Sequence, residues 1–474
     1  MPPLAWTGST YFAEGFPYSL VNNLAEVLFT ELGASLKAVG LTSLFHLPWN
    51  VKFLWAPLVD RYGEKRHWIV AIELLLVVAM VALAVVVPLE PMALLSALFI
   101  VLAALAATHD IAIDGYYLDA LDPKDQAKYV GVRAPAYRLA LLVAGGPLLV
   151  LIGRVGWTIG FGICAALMAG LAVFHGVFLP RAASGPAALV DLVRRRSTLL
   201  GLIAVLGGLA LITALETGAA TGGSARIGPW VTDAVAWIPA LLAAAVIFSL
   251  VARPWIVGRL ERSEGTFSTA FASFLTQPKV THILAFVVLF RVGESFLQKM
   301  RYPFLKSVGM TLEQYGFAKG TLGMIASLVA PAIGGYLISR GGLRRWIWPF
   351  VLAQNVLNLL YSALALHAGD GDVSLWWSTA VITAEMFGAG LGTAVLMVYI
   401  MRCCQPQHRA SHMAILTAIM SIGFTVAGSV SGYLAEAFGY PVYFVLTFVA
   451  TVPGMLLIIG LPNLDAPEAE GASG

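Results

Sequence analysis

The chain has 474 residues, of which 59% are hydrophobic and only 12% are charged. Soluble domains carry about 25% charged residues, and a soluble fold this apolar would lack the polar surface to cover its core. The composition therefore predicts a polytopic membrane protein and excludes a disulfide scaffold or a disordered chain. A formal net charge of +3 is too small to indicate a nucleic-acid partner. Cys164, Cys403 and Cys404 lie in apolar runs without metal-ligand spacing, so we expect no metal and no cofactor.

Fourteen stretches are long and apolar enough to cross a bilayer, which takes about 20 helical residues. They predict an all-α membrane protein of two six-helix bundles with an inserted two-helix hairpin. The expected domains are residues 1–180, a linker with the extra helix pair at 181–278, residues 279–461, and a disordered cytoplasmic tail at 462–474. The inserted spans lie near 197–217 and 229–252, and spans one to twelve lie near 9–31, 37–59, 67–88, 91–119, 127–153, 157–180, 279–305, 311–338, 344–367, 374–403, 408–436 and 439–461.

Lys and Arg residues are unevenly divided between the loops on the two sides of the membrane. With both termini in the cytoplasm, nineteen of the 29 lie in cytoplasmic loops, four in outer loops and six within the spans. Because basic loops stay in the cytoplasm, this division predicts a multi-pass protein with both termini inside. We expect it in the inner membrane of a bacterium, as a monomer.

The two ends of the chain repeat one pattern. Residues 56–66, after span two, and residues 335–345, after span eight, both read small-x-x-x-polar-Arg-x-Gly-x-basic-basic. The two copies align position by position at one constant offset, and a second echo at a nearly equal offset relates Gly156 to Gly439. Two six-helix halves of equal topology are typical of transporters built from parallel repeats.

The first copy of this pattern resembles the signature loop of the major facilitator superfamily. The resemblance lies in Asp60, Arg61, Gly63, Lys65 and Arg66. It implies that the glycine permits a tight turn and that the charges hold helix ends together at a cytoplasmic gate. An incidental Asp-Arg pair in a basic cytoplasmic loop is the alternative.

The second copy makes that alternative less favoured. It would add Arg340, Arg344 and Arg345 to the cytoplasmic gate. Ser339 stands where the pattern has an aspartate, so we expect a weaker interaction there.

Further motifs resemble the muropeptide permease family and the related acetyl-CoA transporters. They are the segments at 52–61 (KFLWAPLVDR), 110–115 (DIAIDG), 291–296 (RVGESF) and 385–394 (EMFGAGLGTA). This resemblance covers essentially the whole chain. It implies fourteen helices and secondary transport driven by the proton gradient.

Span one carries Glu14, Tyr18, Asn22 and Glu26 in steps of four. In a regular helix this spacing keeps the side chains on one slowly drifting face. We interpret it as a polar stripe that faces a central substrate cavity. Hydrogen bonding between helices, without substrate contact, is the alternative.

Span four carries His109, Asp110 and Asp114, and the two aspartates project to one side. Two close carboxylates in a poorly solvated place favour binding of a proton, and His109 could share it. We predict a proton-coupling site here. A static ion pair with Arg138 of span five is the alternative, and the two are compatible because protonation would break the pair.

Span seven places four polar residues on one stripe, and span ten adds an acid. Charges within a span usually line a cavity or have a partner. Arg291 and Glu294 can pair with each other. Lys299 and Arg301 lie toward the outer end, where basic residues suit an anionic ligand, and interfacial snorkelling is the alternative. The candidate cavity residues are Arg291, Glu294, Gln298 and Arg301, and Glu385 is a second proton-site candidate.

Together these features predict a proton-coupled importer that works by alternating access, with substrate bound midway between spans 1, 4, 5 and 7, 10, 11. The expected partners are a small molecule, protons and the lipid bilayer. A muropeptide or similar sugar-containing metabolite is the first candidate substrate. The alternatives are a carrier of acyl-CoA-like or other organic anions, a proton-driven exporter, and a sensor that has lost transport. We expect no enzyme, because the sequence shows no nucleophile–base constellation.

Overall fold

The computed structural model describes most of the chain, and the described part contains helices, turns and connections without a β-strand. The predicted spans at 197–217 and 229–252 lie almost entirely outside this part, as does the tail from residue 465 onwards. The described residues are 2–181, 191–192, 237, 239–241, 244, 252–260, 262, 266–368 and 373–464.

Helices occupy all six spans predicted in the N-terminal half. Span one contains a π-helical turn, Leu20–Leu24, and span two is broken into short helices. Pro48 and Pro57 lie at the starts of two of these, where proline costs no hydrogen bond. The helices are α1 (Pro3–Ser19), α2 (Ala25–Glu31), α3 (Leu36–Leu41), α4 (Leu47–Val51), α5 (Ala56–Arg61), α6 (Lys65–Val86), α7 (Met92–Ala120), α8 (Pro123–Gly145), α9 (Pro147–Val155) and α10 (Trp157–Phe178).

The C-terminal half repeats this arrangement after two short helices. A second π-helical segment, Gly316–Gly323, interrupts span eight. The helices are α11 (Arg253–Leu260), α12 (Thr266–Leu275), α13 (Val280–Leu289), α14 (Val292–Ser307), α15 (Leu312–Tyr315), α16 (Met324–Gly341), α17 (Leu343–Val356), α18 (Leu359–His367), α19 (Leu375–Arg402), α20 (Arg409–Val449) and α21 (Val452–Leu456).

Nine helices of the described residues are long and apolar enough to cross a membrane. Spans one and two are not among the nine. Spans eleven and twelve meet at a kink, where Gly439 has a non-helical φ of 70°. Helices therefore lie at all twelve numbered spans, while the total of fourteen stays a prediction.

The internal repeat is visible in the backbone. Gly63 and Gly342, which hold equivalent positions in the two copies of the pattern, have φ values of 69° and 78°. Gly156 and Gly439, which the second echo relates, have φ values of 83° and 70°. Glycine adopts this left-handed conformation without steric cost, so each pair marks the same turn in the two halves.

The chain forms two compact units that do not follow the halves of the sequence exactly. Unit 1 comprises Met1–Ala34, Phe45–Ala234 and Thr311–Thr321. Unit 2 comprises Ser35–Leu44, Val235–Met310 and Leu322–Gly474. Each unit thus contains one short segment from the other half, and the domain boundaries at 180/181 and 278/279 stay predictions.

In unit 2, the segment Ser35–Leu44 from the N-terminal half packs very closely on α20. A Cβ atom on Gly432 would lie 1.9 Å from the carbonyl oxygen of Leu36. Lys37 forms a 2.9 Å ion pair with Glu436 at the same end of α20.

In unit 1, the segment Thr311–Thr321 from the C-terminal half makes the equivalent contact with α8 and α9. A Cβ atom on Gly320 would lie 1.6 Å from the carbonyl oxygen of Gly145. Arg154 Nε donates to Glu313 Oε1 over 2.9 Å. In both units a cation of the N-terminal half meets an anion of the C-terminal half.

Candidate functional site

The main polar site of unit 1 joins α1, span two, α7 and α8. We call Tyr11, Glu14, Asp110 and Asp114, with the cations Lys52 and Arg133, the N-cluster. Lys52 Nζ donates to Asp110 Oδ2, and Arg133 Nη2 donates to Asp114 Oδ1. The hydroxyl of Tyr11 donates to the same Asp114 oxygen over 2.7 Å.

Glu14 leaves the N-cluster with more acids than bases. Asp110 and Asp114 both act electrostatically on its carboxyl group. Its Oε2 atom is shielded from solvent and has no hydrogen-bond partner within the described residues. Three carboxyl groups therefore share two cations, and one added proton would neutralise the group.

A cavity of about 410 Å³ opens beside Glu14 in unit 1. Aromatic and charged side chains line it together, a combination that can stack on an apolar face and hydrogen-bond polar groups. The lining residues are Tyr11, Glu14, Arg133, Ala134, Tyr137 and Arg138.

The predicted ion pair between the span-four aspartates and Arg138 is absent. Asp114 pairs with Arg133 and Asp110 pairs with Lys52, whereas Arg138 lines the cavity. Arg133 and Arg138 are five positions apart on α8, so they point about 140° apart around the helix. Arg133 lies within α8, and its guanidinium stacks on the Tyr11 ring at 4.4 Å.

The polar stripe of span one is irregular. Tyr18 packs its ring against Trp49 and Tyr137, and Asn22 Oδ1 lies 2.8 Å from His46 Nδ1. Because the π-helical turn contains about one extra residue, the step of four is lost at Asn22. Glu26 beyond it is buried, with 4% of its surface exposed.

In unit 2, two ion pairs lie on α14. The predicted pairing of Arg291 with Glu294 is present, with nitrogen–oxygen distances of 2.9 and 2.6 Å. Gln298 Nε2 donates to Glu294 Oε1 over 2.8 Å. Arg301 binds Glu385 of α19 over 2.6 Å, and neither side chain is more than 3% exposed.

The basic residues expected near an outer mouth are therefore internal. Lys299 is buried, and its Nζ lies 3.4 Å from Thr42 Oγ1. Arg301 is neutralised by Glu385 and lies over the Tyr361 ring at 5.9 Å.

The signature loop brings its charges to the end of α7. Lys65 Nζ lies 3.3 Å from Asp60 Oδ1 and 2.7 Å from Asp119 Oδ2. Gly115 makes room for it, since a Cβ atom there would lie 2.4 Å from Lys65 Cε. Arg66 Nη2 donates to the carbonyl of Gly176 over 2.5 Å, so the loop ties α6, α7 and α10 together.

The remaining basic residues of the two loops contact aromatic rings or line a cavity. Arg61 lies over Tyr62, and Arg340 lies 4.8 Å from the centre of the Tyr336 ring. Arg345 lies over Trp346, and Arg344 lines a cavity of about 650 Å³. Their part in a gate stays a prediction.

Sequence reasoning missed four ionisable residues that the structure places inside unit 1. They are Lys52 and Arg133 of the N-cluster, and Glu73 and His175, which contact His109 or each other. A charged residue inside an apolar span was the available signal, and it applied to Glu73 and Lys52 directly. Within the described residues, no three His, Cys, Asp or Glu side chains are grouped to hold a metal ion.

Two family models match the chain. Residues 284–474 match the Major Facilitator Superfamily, and residues 9–132 match the model described as Acetyl-coenzyme A transporter 1. The chain is therefore similar to the major facilitator superfamily in its C-terminal half and to a transporter model in its N-terminal half. It is a multi-pass membrane protein and a secondary transporter of small molecules, and it is not an enzyme.

Similar proteins include a bacterial permease and a putative transporter. The chain is 26% identical to the anhydromuropeptide permease of Escherichia coli K12, over 94% of this chain and 77% of that protein. It is 21% identical to a putative transporter, AmpG 4, of Rickettsia felis, over 94% of this chain and 93% of the relative.

A solved superfamily structure confirms the fold. The peptide transporter POT in complex with sulfate superposes with a TM-score of 0.66 at 15% identity, covering 98% of this chain and 94% of the other. At this identity the likeness concerns the superfamily fold alone.

Proposed function

We propose that the chain is a proton-coupled importer of a muropeptide-like or other sugar-containing metabolite. The observation that carries the proposal is the N-cluster, in which three carboxyl groups share two cations beside a cavity. A carboxyl group that is buried and short of partners is suited to bind a proton. We assign the coupling proton to the group formed by Glu14, Asp110 and Asp114.

The proposed coupling step is the release of a cation. When Asp110 is ionised, its carboxylate holds Lys52. Protonation removes that attraction and frees span two to move relative to α7. An inward proton gradient favours this step from one side, since one charge that crosses 100 mV gains about 2.3 kcal/mol.

Alternating access requires contacts that open and close. The close contacts at Gly432 and Gly320 each join segments from both sequence halves. We propose that these contacts close the outer side while the loop side is open. We place the Asp60–Arg66 loop and its second copy, Arg340–Arg345, at the cytoplasmic gate.

The substrate class is proposed from the cavity and from the relatives. Tyr11 and Tyr137 offer faces on which a sugar ring can stack, and Arg138 can bind a carboxylate. Proteins named as anhydromuropeptide permeases and AmpG-type transporters are similar over nearly the whole chain.

Uptake of labelled anhydromuropeptide into proteoliposomes, with and without an inward proton gradient, tests the proposal. We expect gradient-driven uptake in the unmodified chain and a loss of at least tenfold in Asp110→Asn. Asp122→Asn is the matched control, because Asp122 is an exposed helix cap and asparagine caps equally well. Uptake that is independent of the gradient would exclude proton coupling, and no uptake by folded protein would exclude the substrate class.

A carrier of acyl-CoA-like anions is the second candidate. The match of residues 9–132 to an acetyl-coenzyme A transporter model favours it. Competition separates the two candidates: acetyl-CoA in excess should block muropeptide uptake only if both bind the same site.

A further inference from the structure

A second group of ionisable side chains lies within unit 1, and none of its members lines the cavity beside Glu14. We call Ser9, Glu73, His109 and His175 the histidine cluster. The side chains of Glu73, His109 and His175 are completely buried, and Ser9 is half-buried. They come from four different helices, namely α1, α6, α7 and α10.

One carboxylate oxygen organises the histidine cluster. Glu73 Oε1 lies 2.6 Å from His175 Nδ1 and 3.4 Å from His109 Nε2. The other ring nitrogen of His175, Nε2, lies 3.0 Å from Ser9 Oγ. The contacts therefore form a chain from Ser9 through His175 and Glu73 to His109.

The hydrogen bonds of Ser9 indicate where a proton is bound. Ser9 Oγ lies 3.2 Å from the Trp6 carbonyl oxygen and 3.0 Å from His175 Nε2, so its hydroxyl can donate to either. When it donates to the Trp6 carbonyl, its oxygen can accept from His175 Nε2–H. His175 Nδ1 faces the carboxylate and also donates. A ring whose two nitrogens both donate is an imidazolium.

The same atoms permit a state without that proton. If the Ser9 hydroxyl rotates from the Trp6 carbonyl to His175 Nε2, the ring is neutral and still has two hydrogen bonds. The Trp6 carbonyl keeps a donor, because the hydroxyl of Thr10 also reaches it at 2.8 Å. Binding and release of the proton at His175 therefore require the rotation of one half-buried hydroxyl and leave the Trp6 carbonyl with a hydrogen-bond donor.

Inside a membrane, electrostatics favours the state in which His175 carries the additional proton. The pair of Glu73 carboxylate and His175 imidazolium is neutral, whereas loss of the proton leaves an uncompensated carboxylate in a fully buried place. His109 can then support the carboxylate, since its Nε2 atom lies 3.4 Å from Glu73 Oε1.

We propose that Glu73 and His175 bind one proton in a site that is separate from the N-cluster and is opened by the Ser9 hydroxyl. His109 connects this site to α7, where the next residue is Asp110 of the N-cluster. Occupancy of the site thus acts on the helix that carries the coupling carboxyl groups. This inference rests on the proposed function and deepens it, because a second proton matters for coupling only in a chain that moves protons.

Solid-state NMR of the full chain in liposomes, labelled with ring-¹⁵N histidine, tests the site without any substrate. In the unmodified chain we expect both ring nitrogens of His175 to carry a proton at pH 7. His175→Asn assigns the signal. In Glu73→Gln we expect a neutral ring at pH 7. A His175 ring with one unprotonated nitrogen at pH 7 in the unmodified chain would overturn the proposal.

His412 is an internal reference in the same spectra. It is equally buried, and its Nδ1 accepts from the backbone N–H of Gln405 over 3.2 Å, which requires a neutral ring. Ser9→Ala should increase the neutral fraction of His175 because it removes the acceptor for Nε2. Ser96→Ala removes a similar serine bond on α7 and should leave that fraction unchanged.

The pH dependence of uptake provides an independent test. If uptake is gradient-driven in the unmodified chain, the pH at which half of the uptake is lost should be lower in Glu73→Gln than in the unmodified chain. An unchanged pH profile would overturn the role in coupling. An imidazolium at His175 in a chain without proton-driven uptake would keep the site and refute the proposed function, so the two failures are distinguishable.

Discussion

At the scale of single residues, the two arginines of α8, Arg133 and Arg138, have different roles. Arg133 holds Asp114 and stacks on Tyr11, whereas Arg138 lines the cavity without that role. We expect Arg138→Gln to raise the KM for substrate several-fold with little change in the pH profile. Arg133→Gln should change the pH profile of uptake, because Asp114 loses its cationic partner.

Initial uptake rates across substrate concentration and pH measure both effects. Arg133→Lys is the control for charge, and it should keep most of the pH dependence. The assignment is wrong if Arg133→Gln affects only KM, or if Arg138→Gln shifts the pH profile.

The ion pair of Arg301 and Glu385 should dominate the stability of unit 2. Breaking a buried pair by removing one partner costs about 3–5 kcal/mol, because the other charge stays buried. We expect Arg301→Met to lower the unfolding temperature markedly and Arg301→Met with Glu385→Leu to recover much of the loss.

Thermal unfolding in detergent measures this difference. Lys37→Met is the control, since Lys37 and Glu436 are more than 40% exposed and such pairs contribute about 0–1 kcal/mol. Equal losses from Arg301→Met and Lys37→Met would contradict the expectation.

Local contacts were predictable at this scale and distant contacts were not. The pairing of Arg291 with Glu294 follows from a spacing of three on one helix. The partners of Asp110 and Asp114 come from other helices, 58 and 19 residues away in sequence. Spacing within one helix carries no information about which neighbouring helix supplies a cation.

At the scale of helices, we expect close packing to control the contact between α3 and α20. Gly432 and Gly320 have no room for a methyl group, whereas Gly335 has nothing within 4 Å of a Cβ atom. Because alanine favours a helix over glycine by about 1 kcal/mol, Gly335→Ala should be neutral or stabilising. Gly432→Ala should instead force α3 and α20 apart.

Labelling of a cysteine at Ser43 measures that separation, in a chain whose three native cysteines are replaced. Ser43 is 3% exposed and lies against Gly428. We expect Gly432→Ala to increase the labelling rate severalfold and to reduce uptake, and Gly335→Ala to change neither. A labelling rate that does not respond to Gly432→Ala would show that this contact does not control access.

Helix positions were predictable because apolar runs of about 20 residues have few alternatives in a membrane. Interruptions within the runs were harder. The short helices of span two begin at prolines that the sequence displays, whereas the π-helical turns of spans one and eight have no local signature.

At the scale of the whole molecule, the basic loops predict orientation. We expect Gln407→Cys, in the connection before α20, to face the cytoplasm and Ser307→Cys, at the end of α14, to face outwards. Both residues are exposed. An impermeant maleimide added to intact cells should therefore label only Ser307→Cys, and lysis should make Gln407→Cys reactive. The reverse pattern would invert the proposed direction of transport.

The exchange of short segments between the two halves could not be predicted from the sequence. Hydropathy identifies Ser35–Leu44 and Thr311–Thr321 as parts of spans two and eight. Their packing depends on Gly432 and Gly145, each of which lies in the opposite half of the sequence from the segment it contacts. Repeats predict equal topology, but the contacts that join one repeat to the other are long-range.

The two π-helical turns have a consequence for insertion and deletion of residues. Asn23, in the turn Leu20–Leu24, accepts a 3.1 Å hydrogen bond from Lys319 in the segment Gly316–Gly323. Deletion of one residue from either turn would let a regular α-helix form there, with better backbone geometry. It would also rotate everything beyond that point by about 100° and separate Asn23 from Lys319. The length of these helices, counted in single residues, is therefore as tightly constrained as the identity of their polar side chains.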